Sequence, residues 1–250
     1  MDLARDFPAA PRYLIHMYLM VREGEEISNA RIARKMAVSA PAVTQSLRRM
    51  VGLGLLEQSN GRRYDLTDYG RRLADRIISR HYLLECLLVN ELGVPWDMAD
   101  EESDHLQISL SGRLEEFLEK RLGHPQTCPH GNPFPGSPVE KELLRAPGLD
   151  QFDEGDVLRL VRVTEEGEMI PGLLTSCVQA GIELGSQLRI EAGHKDDDGE
   201  KVGSGEKAAP GRARETGKDR EAVVTVLASG AQMRLPAAHL HHFRVAPAEQ

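Results

Sequence analysis

Aromatic side chains are scarce in this chain. They make up 4% of 250 residues, with a single Trp, so any core must be built from aliphatic side chains and methionine. Cysteine is nearly as sparse. Cys86, Cys128 and Cys177 are odd in number and far apart, which excludes a disulfide framework and points to reduced thiols in a cytoplasmic protein. No stretch resembles a membrane span or a signal peptide. No glycine-rich phosphate loop follows a strand, and no Ser-His-Asp or nucleophilic cysteine arrangement has supporting spacing, so no enzyme is expected.

Overall basic charge is also missing. The net charge of −8 looks wrong for a nucleic-acid binder until it is divided along the chain. Residues 1–66 carry ten Lys/Arg against seven Asp/Glu (+3), whereas 67–146 carry nine against fourteen (−5) and 147–250 twelve against eighteen (−6). The positive part is therefore the N-terminal third, and the acid lies elsewhere.

That N-terminal third holds the most informative stretch, Ile27 to Leu66. Ser28 can cap a helix whose inward contacts are Ala30, Ile32, Ala33 and Met36. Val38 fills a turn and Ser39 is the next N-cap. Pro41 falls in the first helical turn, where a missing N–H costs nothing. Val43, Leu47 and Met50 repeat at i, i+4, i+7 and face inward. Ser39, Pro41, Ala42, Thr44, Gln45, Arg48 and Arg49 are left outside. Gly52 and Gly54 end this helix, and LLEQ and RRYDL read as strands around Asn60-Gly61, a strong hairpin dipeptide. The pattern is a winged helix-turn-helix. Its second helix suits a major groove, with small and amide side chains at base edges, Arg48 and Arg49 near phosphates, and Arg62 and Arg63 on the wing.

Ahead of this stretch, Ala9 to Arg22 reads as a helix packing Leu14, Met17, Tyr18 and Val21 onto it. Behind it, Thr67 caps a long helix expected to run to Gly93, with Leu83, Leu84, Leu87, Leu88 and Val89 spread over more than one face. A second helix is expected from about Asp97 to Leu122. Together the two offer a two-fold dimer interface, as a reader of palindromic sites requires, or an intrachain hairpin. Residues 124–148 are broken up by Pro and Gly and read as extended and irregular, interrupted by a short helix in VEKELLRAP. From Asp156 the pattern is a small β-barrel: DVLRLVRV, a turn at Glu166-Gly167, a helix over Leu173–Ala180, SQLRIEA, AVVTVLA and MRLPAAHLHHFRV. The charged, glycine-rich run at about 193–220 is expected to be a disordered insertion. The fold class is thus mainly α with a small β domain. It divides into a winged helix (1–66), a helical dimerisation region with a Pro-rich linker (67–146) and a β module (150–247).

SAPAVTQSLRRM in the winged helix, RHYLLE in the long helix and CPHGNPFPG in the linker, followed by an SH3-like module, together resemble the DtxR/MntR group of metal-dependent repressors over essentially the whole chain. The resemblance implies a cytoplasmic homodimer that binds palindromic operator DNA when a divalent cation, Mn(II) or Fe(II), orders the first helix. It also implies a C-terminal domain similar to FeoA-type SH3-like modules. His81 and Glu85 match the group's ligand pair at i, i+4. Asp100 falls where a further His is usual, and Glu166 where the SH3-like domain donates a carboxylate. A second site of the group is altered here: Arg12, Asp104, Gln107 and Ile108 occupy its positions, and of these Asp104 keeps a carboxylate. An Arg12–Asp104 ion pair is then expected to stand in for the ion, which leaves a metal-independent regulator as one alternative. A dimeric interaction module that binds no DNA is the other. The H-x3-C-x-H cluster of His124, Cys128 and His130 is read as a stiff structural linker rather than a zinc site. His239, His241 and His242 are read as alternating on a strand at the barrel edge.

Overall fold

The computed structural model describes residues 7–59, 63–107, 109–191 and 221–248. The chain divides into two units, Met1–Arg145 and Ala146–Gln250.

The first unit opens with α1 (Ala10–Arg22), which carries Pro11 in its first turn and buries Tyr13, Leu14, Met17, Tyr18 and Met20. After strand β1 (Ile27–Ser28), the Ser28 hydroxyl caps α2 (Asn29–Met36), and Ala37 ends that helix in the left-handed region at φ 53°. Ser39 caps α3 (Ala40–Gly52), which turns Val43, Leu47 and Met50 inward as their spacing predicts. Strands β2 (Leu56–Ser59) and β3 (Arg63–Leu66) pair antiparallel from Leu56↔Leu66 to Ser59↔Arg63, in the order β1-β3-β2. The expected Asn60-Gly61 turn lies outside the described residues. Side chains of α1, α2, α3 and the wing share one core, which includes Leu14, Met17, Ile32, Leu47 and Tyr64.

Thr67 caps α4 (Asp68–Cys86) through the Gly70 N–H. The helix then widens into a π turn over Leu87–Glu91 instead of continuing as α-helix to Gly93. The single helix expected from Asp97 to Leu122 is two: α5 (Ala99–Gln107) and α6 (Gly112–Arg121). The cause is local. Ser111 accepts a hydrogen bond from Leu114 N and so begins a new helix, and Ser109 N bonds Leu106 O to close off the previous one. The break turns Leu110 and Leu118 in against Leu84 and leaves Leu106, Leu114 and Phe117 exposed. The Pro-rich segment is not irregular. Cys128 N bonds Asn132 O at 2.8 Å and Phe134 N bonds Gln126 O at 3.0 Å, making a tight hairpin before α7 (Glu140–Arg145).

In the second unit, β4 (Val157–Val163), β5 (Gln187–Glu191), β6 (Glu221–Val226), β7 (Gln232–Pro236) and β8 (Phe243–Pro247) form an antiparallel sheet in the order β7-β6-β5-β4-β8. Helices α8 (Glu165–Glu168) and α9 (Leu173–Ala180) lie between β4 and β5. The edge strands β7 and β8 are joined only by a 3₁₀ segment, Ala237–His242. Six residues at ~2 Å rise reach about 12 Å, less than the roughly 19 Å that four strand spacings would span if flat. The sheet must curl, which gives the SH3-like barrel. Two local expectations change here. Glu166 and Gly167 lie in a helical turn capped by Thr164, and the three histidines lie on the 3₁₀ segment, not on a strand. The 193–220 insertion falls within residues 192–220, outside the described ones.

His242 is buried, and its Nδ1 lies 2.8 Å from Thr164 Oγ1, which also accepts the Gly167 N–H at 3.1 Å. Burial, reinforced by the neighbouring His241 ring, pushes the imidazole down to about 4. A folded value below the ordinary ~6.5 means a neutral ring in the fold. Its contribution to stability is complete above pH 6.5 and is lost as pH falls towards 4. Thermal melts between pH 7 and 4 should therefore show a falling midpoint for this unit, and His242→Gln should flatten that slope.

Candidate metal centre and DNA-facing helix

Helix α4 places His81 and Glu85 one turn apart on the same buried face. The first turn of α5 adds Asp100 and its next turn Asp104. The hairpin adds Cys128 and His130. His81 Nε2 lies 3.2 Å from Asp100 Oδ1 and 3.4 Å from Glu85 Oε1, and His81 Nδ1 lies 3.2 Å from Asp104 Oδ1. Glu85 Oε1 is 3.3 Å from His130 Nδ1. Two three-donor groups therefore share Glu85: Glu85–Cys128–His130 and His81–Glu85–Asp100, each with its ligand atoms within 4.8 Å of one another.

The hairpin group is prepared for a cation. His130 Nε2 lies 2.9 Å from the carbonyl of Trp96, and donating its proton there turns Nδ1 towards Glu85 and Cys128, as a ligand atom once a cation displaces its proton. The Trp96 ring lies 4.9 Å from that imidazole and its N–H donates to Pro129 O, so the ring cannot easily turn. Glu85 is fully buried, and neither carboxylate oxygen has a hydrogen bond of proper geometry, although both histidines lie at ion-pair distance. A buried carboxylate so poorly served is costly in an apolar interior. A divalent cation satisfies it, and the donors on hand (thiol, imidazole and carboxylate) fit one.

The electrostatics agree. Burial would raise the Glu85 carboxyl, but the adjacent His130 and His81 hold it well below the usual carboxylate range. Burial would also lower His81, yet the hydrogen bonds its ring donates to Asp100 and Asp104, with the negative charge of Glu85 beside it, hold it well above its ordinary value. A protonated His81 thus supplies positive charge among three carboxylates, and a metal ion must displace that proton to bind there.

Among the residues expected from sequence, His81, Glu85, Asp100 and Asp104 converge. Glu166 belongs to the second unit and is exposed in the first turn of α8. The expected Arg12–Asp104 pair does not form: Arg12 is exposed, and Asp104 takes His81 and the Gln107 amide instead. Ile108 lies outside the described residues. Sequence reading missed Cys128 and His130 as partners of Glu85. The available signal was two ligand types two residues apart in CPHGNP, while the third member of that cluster, His124, turns outward to Glu119.

On α3, Pro41, Ala42, Gln45, Arg48 and Arg49 are exposed, as is the cap Ser39. Thr44 is half-buried and engaged: it accepts from Asn29 Nδ2 at 2.9 Å and donates to Ala40 O at 3.0 Å, so it orients the helix end. The Arg49 guanidinium lies 4.8 Å from the Phe7 ring centroid, and Arg63 pairs with Glu26 at 2.8 Å. Arg62 lies outside the described residues. No described helix is long and apolar enough to cross a membrane.

Comparison with known proteins follows the same lines. Residues 67–136 match the family profile described as the iron-dependent repressor metal-binding and dimerisation domain. The iron-dependent repressor IdeR of Mycobacterium tuberculosis is 36% identical over 182 residues, 71% of this chain and 76% of that one. The diphtheria toxin repressor of Corynebacterium diphtheriae is 29% identical over 185 residues, 71% of this chain and 82% of that one. Among solved structures, a manganese-dependent transcriptional repressor in complex with manganese aligns over 96% of this chain and 100% of its own, at 28% identity and a TM-score of 0.68. At 36% identity to an iron-dependent repressor over 71% of its length, the chain belongs to the DtxR/MntR family of metal-dependent transcriptional repressors.

Proposed function

We propose that this protein is a cytoplasmic, non-enzymatic repressor of metal homeostasis genes that binds palindromic operator DNA as a homodimer, with Mn(II) or Fe(II) as co-repressor. The observation that carries the reading is Glu85, fully buried between two histidines with its oxygens poorly served. Glu85, Cys128 and His130 hold the cation, and His81, Asp100 and Asp104 form the adjoining acidic group. A bound divalent ion supplies the charge that Glu85 otherwise draws from imidazolium. Glu85 then fixes α4, Cys128 and His130 fix the hairpin, and Trp96 keeps the His130 ring in register. The relatives' names support both candidate metals, since IdeR is called iron-dependent and the aligned structure manganese-dependent.

The 1–66 winged helix reads the DNA. Residues 67–146 hold the metal and the dimer contacts, and 150–247 form the accessory module. Ser39, Pro41, Ala42 and Gln45 approach base edges, with Thr44 bracing them, while Arg48, Arg49, Arg62 and Arg63 serve phosphates. Binding of the full chain to duplexes selected from a random pool, in Mn(II), Fe(II) and excess chelator, tests the whole reading: binding that ignores metal would refute it. On the selected duplex, Gln45→Ala should change base preference by about 1–3 kcal/mol at one position. Arg48→Ala should weaken all duplexes alike and lower the salt slope by about one.

The exposed apolar side chains of Leu106 on α5 and of Leu114 and Phe117, one turn apart on α6, support the dimer, because a monomer gains nothing by presenting them to water. Phe117→Glu should yield monomers by light scattering and lose tight binding to a two-half-site duplex.

A further inference from the structure

Arg22, the last residue of α1, is a cation whose side chain is only 5% exposed. Its Nη2 donates to Pro133 O at 2.7 Å and to Glu140 Oε1 at 3.0 Å. The second Glu140 oxygen accepts from Gly136 N at 2.8 Å. The guanidinium also lies 5.6 Å from the ring centroid of Tyr18, whose hydroxyl bonds Asp75 of α4. One buried charge thus ties α1 to α7 and to the hairpin carrying Cys128 and His130, while the adjacent Tyr18 ties it to α4.

The hairpin is stiff between its two ends. Thr127 bridges Pro133, Cys128 N bonds Asn132 O, and Phe134 packs edge-on against Tyr82 at 5.4 Å, beside His81. Any shift of Cys128 and His130 towards Glu85 is therefore felt at Pro133. A buried guanidinium cannot give up its acceptors cheaply, so Arg22 must follow. Helix α1 shares its core with α2 and α3 and moves with it.

We propose that Arg22 is the positioning residue through which occupancy of the Glu85–Cys128–His130 group sets the placement of α1 and, with it, the DNA-reading helix α3. The role of Arg22 is to transmit, and it rests on the proposed function. Both acceptors are taken by one nitrogen, Nη2, so an ammonium at this position replaces the contact in part.

The test uses the full chain, Mn(II), and a palindromic duplex selected by the wild-type protein. Mn(II) affinity is measured without DNA, and duplex affinity is measured in Mn(II) and in chelator. The wild-type chain should gain about tenfold or more in duplex affinity with Mn(II). Arg22→Gln should bind Mn(II) within about threefold of wild type yet gain about twofold or less. Arg22→Lys should recover part of the gain, and Glu140→Gln should fall between. Amide exchange in α1 should slow with Mn(II) in the wild type and not in Arg22→Gln. If Arg22→Gln fails to fold, Arg22→Lys and Glu140→Gln decide by the same ratio. A merely structural arginine would lower stability and leave the ratio untouched, and that result overturns the proposal alone. A wild-type chain that binds no Mn(II) overturns the metal reading and this coupling together.

Discussion

Glutamine in place of Glu85 should abolish Mn(II) binding while leaving the metal-free fold nearly as stable as before. The two effects come from one feature. Glu85 is fully buried, lies 3.4 Å from His81 and 3.3 Å from His130, and belongs to both three-donor groups. As the shared ligand it should cost more than about 100-fold in Mn(II) affinity, since changes in the outer shell alone cost 10–100-fold. Stability should move by no more than about 1 kcal/mol, because a buried ion pair repays little beyond its own desolvation, His130 can shed its proton once the carboxylate is gone, and His81 keeps Asp100 and Asp104. Calorimetric titration and thermal melting of the same variant give both numbers. If Glu85 were only a structural ion-pair partner, the pattern would invert: about 3–5 kcal/mol lost and Mn(II) affinity unchanged.

Alanine at Gly70 should be the most damaging glycine substitution among the described residues of the first unit. Gly70 is buried in the first turn of α4, and a methyl group there would run into the carbonyl oxygen of Leu55, with its carbon 3.0 Å away. The crowding is built in by Thr67, whose N–H bonds Leu55 O at 3.1 Å. The Thr67 hydroxyl donates to Gly54 O at 2.5 Å and accepts from Gly70 N at 3.0 Å. Backbone on both sides cannot yield as a side chain would. A loss of about 3 kcal/mol is expected, or a melting midpoint roughly 6–12 °C lower. Gly54→Ala makes a useful contrast: it has open space around it but a φ of +70°, so its cost is backbone strain rather than collision.

Much of the winged helix was legible because its determinants are short-range. Ser28, Ser39 and Thr67 cap the helices they precede, and Val43, Leu47 and Met50 turn inward at the spacing written in the chain. Helix α9 spans the residues its pattern indicates, and the strands of the second unit do so nearly as well. Errors arose where two local signals competed. Apolar periodicity ran through residues 97–122 and suggested one helix, but the Ser111 cap prevailed and made two. HLHHFRV alternates like a strand, yet its first half is the 3₁₀ link that joins the two edge strands of the sheet.

From the sequence alone came the fold class and the exposed face of α3, because caps and helical spacing are properties of a few adjacent residues, while His81 and Glu85 were indicated by the family resemblance of RHYLLE. Only the tertiary structure decided that Asp104 turns to His81 and not to Arg12, that Cys128 and His130 close over Glu85, and that Arg22 grips the far end of their hairpin. Those choices are made by packing and by the need to match buried charges, and both operate between residues the chain keeps far apart.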